Sequence, residues 1–193
     1  MSEKQSEPPA TLAAVRCSLS ECGVAVDIDD RVGALLRVLA ALNANAVVLQ
    51  IGAESLSYAP WVIDGMNITA RLVLNIDNDV PLALLEPIFR DDIRIALHQQ
   101  DPNQFLDDVA RHRFNLIFVG ADSIGDALLE RCARLLSDDG LLLLDDTGGA
   151  ASKSQPLADC HYAYLHGVSI VTKAALNSKA ARKGGRRARR AGA

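Results

Sequence analysis

Aromatic residues make up only 4% of the chain, which excludes a core built on stacked rings. Leucine, valine, isoleucine and alanine carry the apolar content instead, a composition that suits buried parallel strands flanked by helices. No apolar stretch approaches the roughly 20 residues that a membrane span needs. The amino-terminal MSEKQSEPPA has no apolar core behind its lysine, so a cytoplasmic address is expected rather than export. The four cysteines, Cys17, Cys22, Cys132 and Cys160, form no CxxC pair and share no ligand spacing with histidine. They read as buried thiols in a reducing compartment, not as staples or metal ligands.

Acidic charge dominates the body. Eight of the 20 basic residues lie between Lys173 and Ala193, where there is no acid, leaving 12 against all 24 acidic residues in the preceding 172. A body of net charge −12 is a poor nucleic-acid surface. The tail itself, KAALNSKAARKGGRRARRAGA, reads as an arm for nucleic acid or another acidic surface, or as a solvated extension that meets the acidic body. Its lack of periodic large apolar residues argues against a membrane helix. The expected organisation is a disordered 1–9, one folded domain over 10–172 and a basic, disordered 173–193.

The organising stretch is Ala46 to Asp77, AVVLQIGAESLSYAPWVIDGMNITARLVLNID. An apolar run to Ile51, a turn at Gly52, a helical pattern and a second apolar run ending on an acid form the pattern of a unit that holds an adenosine ribose. Glycine is scarce where such a turn uses several: only Gly52 lets backbone N–H groups approach a ligand closely, and Leu56 stands as a bulky obstacle where another glycine would help.

The pattern repeats. Apolar runs at Ile93–His98, Phe114–Val119 and Gly140–Leu144 follow those at Ala46–Ile51 and Arg71–Ile76, separated by helical candidates near Ser55–Gly65, Val80–Arg90, Asn103–Arg111 and Ile124–Leu136. Two further helices precede the first strand: one with Leu12, Val15 and Leu19 at helical spacing, and one capped at Asp29 or Asp30 and ended by Asn43. Strand and helix in alternation predict an α/β fold with a doubly wound, mostly parallel sheet. Cys160–Leu165 and Val168–Thr172, separated by His166 and Gly167, break the alternation and predict a terminal hairpin that supplies an antiparallel strand.

With that hairpin, the chain resembles the class I S-adenosylmethionine-dependent methyltransferases, and among them the small O-methyltransferases of the catechol and caffeoyl-coenzyme A type. The resemblance runs from about Asp30 to Thr172 and is carried by LQIGAESLSYAPWV, LVLNID, QQDPNQFL, FNLIFVGAD and DDGLLLLDD. It implies a Rossmann-like methyltransferase fold, S-adenosylmethionine (SAM) as cofactor and methyl transfer to the hydroxyl of a small-molecule acceptor. It also implies that Asp77 takes the ribose hydroxyls, that Asp101 lies near the adenine, and that Gly52, Ala53, Ser57 and Gly120 line the cofactor. The family's divalent cation would fall to Asp122, Asp145 and Asp146, although nothing in their spacing requires a metal and solvated helix caps are the alternative.

The departures are specific. Gln50 replaces an acid, Leu56 the second glycine of the turn, Gly120 the first metal-binding position and Ser123 a lysine. No general base is evident: His98, His112, His161 and His166 are scattered and read as surface residues. Tyr58 and Trp61 either stack on a ligand or pack against the sheet. The alternative function is therefore a catalytically silent module of this fold, used for binding or for forming a homodimer; the two leading amphipathic helices offer an apolar face to a partner or to the substrate crevice.

Overall fold

The computed structural model describes residues 7–24, 29–76, 78, 80–146, 157, 160–165 and 167–173. Seven strands form one sheet in the order β3-β2-β1-β4-β5-β7-β6. They are β1 (Val47–Ile51), β2 (Arg71–Ile76), β3 (Ile95–Gln99), β4 (Phe114–Val119), β5 (Leu136–Asp145), β6 (Cys160–Leu165) and β7 (Val168–Lys173). The first five are parallel neighbours, while β7 inserts antiparallel between β5 and β6. The α/β architecture, the mostly parallel sheet and the terminal hairpin all match the expectation from sequence.

Because successive residues of a strand point to opposite faces, the apolar runs split into two cores. Val48, Leu72, Leu74, Leu116 and Phe118 pack on one face with the leading helices α1 (Leu12–Glu21) and α2 (Asp30–Ala41), and with α3 (Ala59–Gly65) and α4 (Leu82–Phe89). Leu49, Ile51, Ile117, Val119, Leu142 and Leu144 face the other way, against α5 (Pro102–Asp108) and α6 (Asp126–Leu135). Asp29 is the N-cap of α2, its side chain accepting from Arg31 N at 2.9 Å.

Several boundaries differ from the sequence reading, and three of the differences have a local cause. The helix expected from Ser55 opens instead as a 3-10 turn, Glu54–Tyr58, and becomes α-helical only at Ala59, where Pro60 suits the first helical turn because its missing N–H has no partner to lose there. The third strand starts at Ile95, and Ile93 is left 85% exposed ahead of it. The fifth starts at Leu136 because a register shift between Phe114 and Leu116 pairs Leu136 with Phe114 and Leu141 with Leu116. The residues between bulge outward, so the polar Asp138 and Asp139 stay in solvent.

Tyr58 and Trp61 are both buried in the packing. Tyr58 meets Phe118 edge to face with ring centroids 5.2 Å apart. Trp61 lies under the Arg37 guanidinium, 4.7 Å from its ring centroid, and against Gly33, where an added Cβ would fall 2.5 Å from Trp61 Cε2. No helix among the described residues is long and apolar enough to cross a membrane. The amino-terminal residues before Glu7 and those after Lys173 lie outside the described residues.

Candidate functional site

In a sheet of this order the chain leaves β1 toward β2 on one side and reaches β4 on the other, so a crevice opens at the carboxyl ends of β1 and β4. Gly52 stands at its floor. Its φ of +94° is in the left-handed region that glycine alone adopts without strain, and its N–H donates to Asn75 O at 3.1 Å, extending the β1–β2 ladder into the turn. The turn is then locked from within. Ser55 Oγ donates to Gly52 O at 2.7 Å, Ser57 Oγ donates to Glu54 O at 2.5 Å, and Gln50 Nε2 donates to Ser55 O at 3.1 Å.

Leu56 does not stand in the crevice. Its side chain is fully buried in the core on the α1–α4 face. The crowding comes from β4 instead. After Gly120, whose N–H donates to Ile51 O at 2.9 Å, a 3-10 turn, Ala121–Ser123, lies across the turn of β1. Asp122 Oδ2 accepts from Ala53 N at 3.1 Å, while Ser123 Oγ donates to Asp122 Oδ1 at 3.2 Å. A Cβ at Gly52 would lie 2.5 Å from Asp122 Oδ1, and one at Gly120 would lie 2.8 Å from the same atom. The two glycines thus form a cradle, and a side chain of the same protein sits in it.

Glu54 completes this side. Its Oε2 accepts from Asp122 N at 3.3 Å. Burial first, then the charges of Asp122 and Asp145, push its carboxyl above the ordinary 4.5. Nothing in the sequence singles out Glu54. An acid two residues past the turn glycine is ordinary for a first helical turn, and only the fold brings it opposite the end of β4.

The other expected site residues divide. Asp101 sits at the end of β3 and its Oδ1 accepts from Asn103 N at 2.9 Å and Gln104 N at 3.1 Å, capping α5. Asp145 and Asp146 end β5 and are each only 4% exposed, with Asp146 N donating to Gly167 O at 2.7 Å. Asp77 follows Ile76, the last residue of β2, and lies outside the described residues, as does His166. His98, His112 and His161 are exposed, His98 with its ring 5.2 Å from that of Phe105.

Among the described residues no group of three or more His, Cys, Asp and Glu side chains is arranged to hold a metal ion. On the β1–β2 side the crevice suits an adenosyl group: a positive-φ glycine at the switch point, with the end of β2 beside it. On the β4 side it suits that group only once Asp122 and Ser123 have moved. Two surface grooves, of about 270 and 580 Å³, lie at the opposite ends of the strands. One is walled by Leu39, Asn115 and Leu141 and the other by Ile68, Ile88 and Ile93, and neither brings convergent polar groups to the crevice.

No protein-family profile matches this chain, and no curated protein matches it. Solved structures do. A protein from Corynebacterium glutamicum is 23% identical, with a TM-score of 0.71 over 89% of this chain and 93% of its own. The O-methyltransferase TomG from Streptomyces achromogenes, involved in tomaymycin synthesis and solved in complex with SAM, is 15% identical, with a TM-score of 0.72 over 89% of this chain and 92% of that one. An O-methyltransferase from Bacillus cereus in complex with S-adenosylhomocysteine (SAH) gives 15% identity and a TM-score of 0.67 over 89% and 94%. The chain has the seven-stranded, Rossmann-like fold of the class I methyltransferases, the small O-methyltransferases among them.

Proposed function

We propose that the crevice at the carboxyl ends of β1 and β2 binds S-adenosylmethionine and that the protein transfers its methyl group to the hydroxyl of a small-molecule acceptor. The observation that carries this reading is Gly52, held at φ +94° at the switch point of a β3-β2-β1-β4-β5-β7-β6 sheet. The fold neighbours named above, which include O-methyltransferases with SAM or SAH bound, support the same reading.

The cofactor supplies an electrophilic methyl group on a sulfonium. The chain's own part is positioning. Gly52 keeps the turn free of a Cβ, Asp77 follows β2 where a carboxylate meets ribose hydroxyls, and Asp101 stands at the next strand end with one oxygen engaged in its helix cap. Glu54, whose raised carboxyl is a stronger base than an ordinary one, is the group on the β4 side suited to take the acceptor's proton.

A second reading is favoured by one observation, the Asp122 carboxylate inside the glycine cradle. It is a protein of this fold that no longer turns over a cofactor and serves as a binding module. Calorimetric titration of the purified protein with SAM and SAH, with and without magnesium, separates the two. Saturable binding that Asp77→Ala abolishes without unfolding the protein supports the enzyme. Absence of heat together with an unmoved melting temperature supports the silent module.

A further inference from the structure

We propose that the basic arm following Lys173 is held by the protein's own body, in the groove between the end of α2 and the bulge of β5, with Leu176 against its apolar wall and the cations after Leu176 on Asp138 and Asp139. This seat lies at the end of the strands away from the Gly52 crevice and does not depend on what that crevice binds.

The groove has the chemistry of an amphipathic basic segment's partner. Its volume is about 270 Å³, and Leu39, Leu42 and Leu141 line it together with Asp138 and Asp139, but no lysine, arginine or histidine does. Leu42 is 74% exposed and Val38, one helical turn before it, 55%, so the apolar wall is open to solvent. Both carboxylates are exposed on the outward bulge of β5. Among the described residues neither of them has an ion pair.

Strand β7 delivers the arm to this place. Thr172 pairs with Leu141, a residue of the groove, and its Oγ1 donates to Gly140 O at 3.4 Å. Lys173, the first cation of the arm, donates from Nζ to Leu136 O at 2.7 Å, at the start of the bulge that carries Asp138 and Asp139. The arm therefore begins with its first basic side chain already laid across β5.

The sequence beyond Lys173 matches the groove in order. Ala174 and Ala175 are small, Leu176 is the only large apolar residue before Ala193, and Lys179, Arg182, Lys183, Arg186, Arg187, Arg189 and Arg190 follow with no acid among them. At up to about 3.5 Å per residue, Leu176 can stand about 10 Å and Lys179 about 20 Å from Lys173. Neighbouring strands lie only about 4.8 Å apart, so both reach from β7 across β5. One exposed ion pair contributes little, but several cations share two carboxylates here, and the short tether makes each pairing intramolecular. A nucleic acid that drew the arm away would meet a body of net charge −12, which favours the protein's own groove as the seat.

The test is limited trypsin digestion of the full chain, reading cleavage at Lys179, Arg182 and Lys183 against a synthetic peptide of residues 173–193. It is run on the wild type, on Asp138→Asn combined with Asp139→Asn, and on Leu176→Asn, with melting temperatures to establish that each protein is folded. At low salt the wild-type arm is expected to be cut about tenfold more slowly than the peptide, and both variants about threefold or more faster than the wild type. In about 1 M salt, where charges are screened beyond about 3 Å, the difference between the wild type and the carboxylate variant should vanish while that of Leu176→Asn persists. Carbodiimide coupling of the wild type should join Lys179 or Lys183 to Asp138 or Asp139 within one chain. Should the carboxylate variant prove unfolded, Leu176→Asn and the coupling still decide. A wild-type arm cut as fast as the peptide, or a folded carboxylate variant cut no faster than the wild type, overturns the proposal. So do couplings found only between two chains, which assign the arm to a second copy, and fast cleavage that slows only on adding duplex DNA, which assigns it to nucleic acid.

Discussion

Gln50 Nε2 donates to Ser55 O at 3.1 Å from a side chain with no solvent exposure, while its Oε1 has no partner among the described residues. The last residue but one of β1 thus holds the carbonyl of the turn it leads into, and it does so as a donor. An acid at this position would present oxygen to oxygen. Gln50→Glu is expected to lose about 2 kcal/mol of stability near neutral pH, the cost of an unmade bond plus a buried charge. Part of that loss should return as the pH falls and the new carboxyl protonates. Chemical denaturation at two pH values checks this, and a variant as stable as the wild type at both would remove Gln50 from the support of the turn.

Gly52→Ala meets two costs at once. The left-handed backbone disfavours any Cβ, and that Cβ would lie 2.5 Å from Asp122 Oδ1. The expected loss is about 1–3 kcal/mol from the backbone alone. Adding Asp122→Ala should recover only the Asp122 share of the contact cost, because Ser123 Oγ would still crowd the new Cβ, and none of the backbone part. A double-mutant cycle measures the split, and full additivity would show that the two side chains do not meet.

Gly33→Ala is a contest between two effects. Replacing a helical glycine gains about 1 kcal/mol in propensity, but the new methyl would lie 2.5 Å from the buried Trp61 ring. A fully buried indole covered by Arg37 has little room to yield, so overpacking of about 1–3 kcal/mol should win. The melting temperature should fall, and Trp61 fluorescence should report the displaced ring.

Glu54 makes stability depend on pH in an identifiable direction. Its carboxyl is raised in the folded protein, by burial and then by Asp122 and Asp145, so the folded state holds its proton more firmly than the unfolded state does. The resulting stability is complete below the ordinary value of 4.5 and is lost as pH rises through the raised folded value. Comparing Glu54→Gln with the wild type from roughly pH 4 to 8, a span that covers ordinary and raised carboxyls, isolates this contribution from the other carboxylates. Asp92, held low chiefly by its hydrogen bond from Arg94, works the other way, its contribution fading as pH falls through its depressed value. Identical pH profiles for the two proteins would show that Glu54 does not carry the effect.

Cys132 is buried in α6 and burial pushes its thiol up to about 12. At about pH 8 it should resist alkylation in the folded protein and react only as the chain unfolds, so its labelling rate reports global opening. Rapid modification without unfolding would contradict the burial.

Much of this architecture is legible in the sequence because burial on both faces leaves strands such as Leu49–Ile51 and Leu116–Val119 uninterrupted by charge. Cap signals are equally local: Asp29 and Asp101 each hold the N–H groups of the helix beside them. The site is less legible because it is assembled from the ends of different strands. Leu56 reads as an obstacle from its spacing to Gly52, yet the 3-10 turn rotates it into the core. Asp122 reads as a possible cation ligand, yet its carboxylate reaches back 69 residues to Ala53 N. No local pattern marks either outcome.

The position of β7 has a consequence for biosynthesis. β5 has β4 on one side, and on the other it has only Val168–Lys173, which the ribosome makes more than 20 residues after Asp145. Until that last strand arrives, the run Leu141–Leu144 presents an open, apolar edge able to pair with any other extended chain. During that interval the nascent protein is most exposed to aggregation, and slow translation of the segment before β7 should lower its soluble yield.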